Sequence, residues 1–168
     1  MPRLVLVAAL AVVASLAGAA NTGAPPAGEW QSFTGTLSAT GRRDTLPPEE
    51  GVTASTTRWT GSLVITAGAG LRRGFHVEAI GFDDGRSNGV GRAVWTDERG
   101  DRLFSRITGA ATAAGRRATA TFTSGTGRYA GVTGEYSFAW QYVLPGGQGQ
   151  VHARAVALTG TYRQGAPR

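Results

Sequence analysis

The stretch Gly125–Gly134, GTGRYAGVTG, decides how this 168-residue chain folds. Its glycines permit repeated backbone bends, and Tyr129 and Val132 are its only large apolar side chains. A glycine-rich phosphate loop needs a helix directly after a strand, and no helical pattern follows here. The stretch therefore predicts a compact turn between two strands, with Tyr129 and Val132 buried beneath it. The residues that define this turn motif are Gly125, Gly127, Tyr129, Gly131 and Gly134.

Alternating apolar and polar residues lie on both sides of this turn, whereas no helical stripe occurs between Trp30 and Tyr162. The alternating runs and the turn signals between them predict eight strands. These cover about Phe33–Thr40, Thr56–Thr66, Phe75–Phe82, Val90–Thr96, Arg102–Thr108, Ala118–Thr123, Glu135–Tyr142 and His152–Tyr162. Between the first two, Gly41–Val52 contains Pro47 and Pro48, which cannot pair in a central strand. We expect this segment to be the longest irregular loop.

The predicted strands favour one all-β domain over residues 30–165. An eight-stranded antiparallel up-and-down barrel of the calycin-like type is favoured, because closure removes the two exposed edges that an open sheet would leave. Glycines inside the strand patterns, such as Gly61 and Gly160, also favour closure, since glycine permits strong coiling. A two-sheet sandwich is the main alternative. In the barrel, Tyr129 and Val132 would plug one end.

The central turn and its neighbours resemble a known group of proteins. Gly125–Gly134, followed by Glu135-Tyr136-Ser137-Phe138, looks like the stretch before the penultimate strand in secreted bacterial relatives of the allene oxide cyclase and dirigent barrels. Val94-Trp95-Thr96-Asp97, with Gly100-Asp101 and Phe104-Ser105, is similar to another pattern of that group. The resemblance implies an eight-stranded barrel with a central cavity, often trimeric in the plant cyclases.

The resemblance is closest over about residues 89–142 and carries no specific reaction with it. The plant cyclases are described as using a carboxylate, a held water and a Cys within an apolar cavity, and this chain contains no Cys. One barrel type serves enzymes and non-catalytic proteins alike. The resemblance therefore implies a barrel and its cavity and, if the chain is an enzyme, a cofactor-free isomerase of the cyclase type.

An aromatic row lies on one face of the strand predicted over Glu135–Tyr142. Such a row is typical of a barrel core, and it can also line a ligand cavity when a barrel is filled at only one end. Tyr and Trp side chains would add polar groups to an otherwise apolar wall. The candidate ligand-binding residues are Tyr136, Phe138, Trp140, Tyr142 and Trp95.

His76 and Glu78 are the candidate catalytic residues. They are two positions apart on one predicted strand, so their side chains share a face. If that face points inward, a carboxylate beside an imidazole could move protons within the cavity. If it points outward, the pair is an ordinary solvated patch. The second histidine, His152, lies on another strand, so neither a metal site nor any other cofactor is expected.

The first 19 residues have the pattern of a secretory signal peptide. Arg3 gives a positive start, an apolar run covers Leu4–Leu16, and the small residues Ala17–Ala19 suit a signal peptidase. The run is too short to cross a membrane, which takes about 20 apolar residues. We expect cleavage after Ala19, a flexible leader over residues 20–29, and a secreted or periplasmic protein.

The formal net charge is +6, and all 17 basic residues are Arg. They are scattered in pairs such as Arg42-Arg43 near predicted turns, which is typical of solvated strand ends, and an exported protein seldom meets nucleic acid. Weak attraction to anionic lipids or polysaccharides is physically reasonable. A membrane-spanning barrel would need outward apolar bands, which the alternating threonines of Ala118–Thr123 oppose.

Three hypotheses of function follow from these observations. The first is an exported barrel that binds a small apolar molecule in its cavity. The others are a cofactor-free isomerase or cyclase acting on an oxidised lipid or a phenolic, with Glu78 as base, and a structural or surface-interaction barrel without a ligand. A homo-oligomer, dimer or trimer, is also expected, because Phe75 and Val77 oppose Ile80 and Phe82 on one strand and only one of these apolar sets can face inward.

Overall fold

The computed structural model describes residues 28–112 and 115–165, and these form a closed eight-stranded barrel. The strands are β1 (Gln31–Glu49), β2 (Val52–Gly68), β3 (Gly74–Asp83), β4 (Asn88–Asp97), β5 (Arg102–Thr112), β6 (Gly115–Gly125), β7 (Val132–Pro145) and β8 (Gln150–Gln164). Each strand pairs antiparallel with the next, and β8 pairs with β1. The predicted up-and-down barrel is thus confirmed. The predicted signal peptide and most of the predicted leader lie outside the described residues.

The barrel interior follows from the alternation in the sequence, since most inward residues are apolar and most of their neighbours are exposed. Aromatic side chains fill one end, where Phe33 lies edge-on to Trp95 with ring centroids 6.2 Å apart. We call this the closed end. Its buried side chains include Phe33, Phe75, Trp95, Phe122, Tyr129, Val132 and Tyr162, all no more than 5% exposed. Within the described ranges, no helix is long and apolar enough to span a membrane.

The turn between β6 and β7 packs against the closed end and is hydrogen-bonded to the neighbouring connections. Its 3₁₀ turn, Gly127–Tyr129, places the Tyr129 ring in the core, where the phenol donates a hydrogen bond to Asp97 Oδ2 at 3.1 Å. Arg128 Nη2 donates to the carbonyl of Gly70 at 3.0 Å, which joins this turn to the β2–β3 connection. Gly127 has φ +53°, and a Cβ there would collide with the Asp101 carboxylate. A glycine is therefore required at this position.

The β1–β2 hairpin corrects the prediction of a long loop over Gly41–Val52. β1 continues to Glu49 and β2 begins at Val52, so the two strands form a long ribbon with a tight turn. The register shifts between Leu46 and Glu49, which leaves Pro47 and Pro48 in a bulge. Pairing of β1 with β8 ends at Arg42, so the missing proline N–H groups break no ladder on that side.

The face assignment of β8 is also corrected. The sequence predicts Val156, Leu158 and Tyr162 on one face with Ala155 on the other, but Ala155, Leu158 and Tyr162 all point inward and are no more than 2% exposed. Gly35 pairs with Leu158 and Leu37 with Ala155, so β8 carries one extra residue. The extra residue forms a β-bulge in which Ala157 has φ +52°. The bulge reverses the alternation at this point.

Gly160 shows why glycine lies within a strand of this barrel. A Cβ there would stand 2.5 Å from Cζ of Phe33 and 2.6 Å from the carbonyl oxygen of Glu135. The phenyl ring of Phe33 therefore occupies the space that a side chain would take. This close approach allows aromatic rings to fill the closed end of a narrow barrel.

Candidate functional site

A cavity of about 390 Å³ occupies the other half of the barrel. It opens where β1 meets β2, β3 meets β4, β5 meets β6 and β7 meets β8, at the end opposite Tyr129. We call this the open end. The lower wall is apolar and consists of Leu37, Leu63, Val77, Ala93, Ile107 and Leu158 together with aromatic rings. The volume falls within the range of sites that take small organic molecules.

An aromatic ladder on β7 forms one side of the cavity. Tyr136 and Phe138 are buried, and Trp140 is half-buried nearer the mouth. The Trp140 indole stacks on Trp59 of β2 with centroids 5.2 Å apart, and Trp95 closes the floor 4.7 Å from Tyr136. The predicted ligand-binding residues Tyr136, Phe138, Trp140 and Trp95 all line the cavity. The side chain of Tyr142 lies outside the described part of the structure.

Tyr136 places a polar group at the base of this wall. Its phenol shares a hydrogen bond of 2.8 Å with Ser105 Oγ, and both residues are buried. Burial raises the pKa of Tyr136 to about 12, although the hydrogen bond with Ser105 opposes the shift. The phenol is therefore protonated at neutral pH, where it can exchange hydrogen bonds but cannot act as a base.

The rim of the cavity is polar. Arg43 of β1 points into the mouth, where its Nε donates a hydrogen bond of 3.5 Å to Thr57 Oγ1. Thr45 and Ser55 add hydroxyl groups to the same region. Asp83 lines the mouth from β3, and its Oδ1 accepts a hydrogen bond from the backbone N–H of Gly85 at 2.9 Å. The cavity thus changes from an aromatic floor to a charged and hydroxylated rim.

His76 and Glu78 lie on the outer wall of the barrel and are exposed. Glu78 faces Arg58 across the β2–β3 pair, with oxygen and nitrogen 3.8 Å apart, and its side chain is 56% exposed. The structure contradicts the inward orientation that a catalytic role in the cavity required. Period-two alternation placed both side chains on one face, and burial of Phe75 and Val77 on the opposite face turns that face to solvent.

Residues 28–112 and 115–165 contain no group of three or more His, Cys, Asp or Glu side chains that could hold a metal ion. His152 is exposed on β8. The titratable residues along the described cavity wall are Arg43, Asp83, Arg117 and Tyr136, and of these Arg117 is exposed.

Sequence reasoning did not find Arg43 and Trp59 as cavity residues. Arg43 fell in the predicted loop, although the alternation Leu37, Ala39, Gly41 continues without a break to Arg43 and shows the same inward face. In the predicted strand Thr56–Thr66, period-two alternation groups Trp59 with Leu63 on the apolar face and indicates no cavity. Its position beside the mouth follows from pairing with Gly41, which no local pattern specifies.

Comparison with known proteins gives one structural similarity. No protein-family model matches the chain. A search of curated protein sequences also gave no match. Among solved structures, that of a pterocarpan synthase dirigent protein aligns with 82% of this chain and 88% of its own, at a TM-score of 0.46 and 10% identity.

Proposed function

We propose that this protein is an exported barrel that binds a small apolar molecule through the open end. The observation that carries this proposal is the cavity of about 390 Å³, apolar and aromatic below and open above. Apolar walls with a few polar groups are typical of sites for small organic ligands. Contact with rings such as those of Phe138 and Trp140 removes apolar ligand surface from water.

Binding is favoured over the other two hypotheses. A surface-interaction barrel without a ligand calls for an interior packed solid, and here only the closed end is packed. The isomerase hypothesis depended on Glu78 as a base inside the cavity, and Glu78 lies outside. Asp83 is the one carboxylate of the described cavity wall, and Tyr136 stays protonated at neutral pH. Binding of a small apolar molecule is therefore the function that we propose.

The test begins with the purified protein. Native mass spectrometry of the freshly isolated chain should show a copurified apolar molecule, or else a hydrophobic dye should bind saturably and be displaced by apolar competitors. Saturable binding of one dye molecule per chain is the expected result. Dye binding that never saturates would contradict a defined cavity site.

Two matched variants test whether the dye binds inside the cavity. Gly109 faces the cavity, and a Cβ at this position meets nothing nearer than the Arg117 carbonyl oxygen at 3.8 Å. Gly109→Phe should therefore fill the cavity without a backbone clash and abolish dye binding. Thr108→Phe, one residue away and exposed, places the same ring outside and should bind as wild type. Equal binding by both variants would place the dye elsewhere.

Export is the second part of the proposal. It rests on the positive start, apolar run and small residues of the first 19 positions. When the full chain is expressed in a bacterium with a general secretory pathway, the exported protein should begin at Ala20 or Asn21. Mass spectrometry of the intact product measures this, and Ala19→Asp combined with Ala20→Asp should prevent cleavage at both sites. An uncleaved wild-type chain in the cytoplasm would contradict export.

A homo-oligomer is the third part of the proposal. Ile80 and Phe82 point outward on β3, and Phe82 pairs with exposed Val90 on β4, so the three side chains form one apolar patch. A contiguous exposed apolar patch is typical of an interface. Sedimentation should show a dimer or trimer that Phe82→Glu dissociates, whereas Val64→Glu, exposed elsewhere on β2, should leave it intact. A monomeric wild type at high micromolar concentration would contradict the interface.

A further inference from the structure

Arg43 occupies a position on the cavity rim that an apolar ligand does not need. It continues the inward series of β1, and Gly41 beneath it gives room to the Trp59 indole, whose Cε3 would lie 2.7 Å from a Cβ at Gly41. Arg43 pairs with Thr57 in the β1–β2 register, which sets its guanidinium beside the mouth. It is half-buried there, directly above the aromatic wall.

The charge of Arg43 is not neutralised by a neighbour within the described ranges. The acid pairs found there use Arg42, Arg58, Arg72 and Arg86. Among the described residues, the Arg43 side chain donates one hydrogen bond, from Nε to Thr57 Oγ1 at 3.5 Å. A guanidinium presents five N–H donors, so four remain for a ligand. A cation at the rim of an apolar cavity matches an anion joined to an apolar tail.

The groups around Arg43 suit a carboxylate. Hydroxyls of Thr45, Ser55 and Thr57 line the same part of the rim and can donate to an oxyanion. Arginine binds carboxylates with two parallel hydrogen bonds in a planar geometry. The rim also carries one acid, Asp83. It lies on β3, so β2 separates it from Arg43 on β1.

We propose that the cavity takes amphiphilic carboxylic acids, with the carboxylate on Arg43 and the apolar tail against the aromatic ladder. This inference rests on the proposed function, because it names the ligand class of the same cavity. Arg43 then selects acids over neutral molecules of the same shape, while Trp140 and Phe138 contribute affinity that does not depend on the head group.

The experiment compares cis-parinaric acid with its methyl ester. Both probes have the same fluorescent polyene tail, which reports binding, but only the acid carries a negative charge. Wild type should bind the acid at least 10-fold more tightly than the ester at neutral pH. Arg43→Gln should lose this preference and keep the ester affinity, which also shows that its cavity is intact. Arg43→Lys should keep part of the preference.

Arg42→Gln is the matched control. Arg42 is the adjacent residue, but its side chain is 75% exposed and pairs with Asp44 on the outer wall, so this variant removes the same charge without touching the cavity. It should retain the full preference for the acid. If wild type binds acid and ester equally, or if Arg42→Gln loses as much preference as Arg43→Gln, the role of Arg43 is wrong while cavity binding stands. Saturable binding of neither probe would overturn the proposed function itself.

Discussion

The two ends of the barrel differ in what fills them. At the closed end, the rings of Phe33, Trp95 and Phe122 contact one another with centroids 5.3 to 6.3 Å apart, and no ring is more than 4% exposed. At the open end, Trp59 and Trp140 stack on each other but stay half-buried, and a cavity separates them from the opposite wall. Similar strands and side chains thus give a packed core at one end and a cavity at the other.

If the proposed binding is correct, this difference separates stability from binding along the barrel axis. Burial of apolar surface is the main stabilising contribution in a small domain, and it is concentrated at the closed end. Side chains at the open end keep surface that a ligand can cover. Substitutions at the closed end should therefore change the free energy of unfolding, and substitutions at the open end should change affinity.

The largest effect is expected from Phe33→Ala. Phe33 is 2% exposed and contacts three other aromatic rings, so the variant leaves a cavity in rigid surroundings. The free energy of unfolding should fall by about 3 to 5 kcal/mol in urea denaturation. Trp140→Ala at the open end should cost less than about 2 kcal/mol and weaken dye binding instead. Equal losses of unfolding free energy in the two variants would show that both ends belong to the packed core.

A second test uses alkaline pH to measure how well the interior excludes water at Tyr136, where the closed end meets the cavity. Burial raises the pKa of Tyr136 to about 12, and an exposed tyrosine in the unfolded chain titrates near 10. Between these values the folded state keeps a proton that the unfolded chain releases. Stability is therefore complete below pH 10 and falls as pH rises to 12, by about 2 to 3 kcal/mol for this group.

Urea denaturation at several pH values measures this loss, and Tyr136→Phe is the control. The variant should show a shallower decline between pH 10 and 12. The decline should not vanish, because burial also raises the pKa of Tyr162, to about 12. A wild-type stability that is flat over this range would mean that water reaches the Tyr136 phenol, and the contrast between the two ends would be weaker than described.

The closed end is also the part of the fold that the sequence predicts best. The Gly125–Gly134 motif is local, and its glycines and buried Tyr129 are specified within ten residues of chain. The order of the strands follows from alternation and turn signals. Other parts depend on long-range pairing. Pro47 and Pro48 at the open end resemble a loop until β2 is placed beside them, and the sequence of β8 does not reveal the bulge at Ala157 that reverses its inward face.

The candidate site was predicted in part for the same reason. Tyr136, Phe138 and Trp140 share a face by period two, and that face lines the cavity. For β3, alternation groups His76 with Glu78 but cannot say which face is inward, because both faces carry large apolar residues. The structure buries Phe75 beside the rings of Trp95 and Tyr129 and places Val77 in the lower cavity wall, whereas Ile80 and Phe82 are exposed.

A smaller loss is expected from Tyr129→Phe, which tests how the central turn holds the closed end. The substitution removes the hydrogen bond to Asp97 Oδ2 and keeps the buried ring. Asp97 Oδ1 still accepts hydrogen bonds from the N–H groups of Arg99 and Asp101, so the carboxylate keeps partners. The free energy of unfolding should fall by about 1 to 2 kcal/mol. Unchanged dye affinity would show that the turn acts on stability alone, and reduced affinity would couple the two ends.

The smallest effect is expected from Glu78→Gln on the outer wall, which belongs to neither end. Its contact with Arg58 is 3.8 Å long between two exposed side chains, and exposed pairs of this kind contribute little. The variant should change the free energy of unfolding by about 0.5 kcal/mol or less and leave dye affinity within error. Titration calorimetry and urea denaturation measure both quantities. Because Glu78 is separated from the cavity by the barrel wall, a marked loss of affinity in this variant would mean that ligand binds outside, and the assignment of binding to the open end would fail.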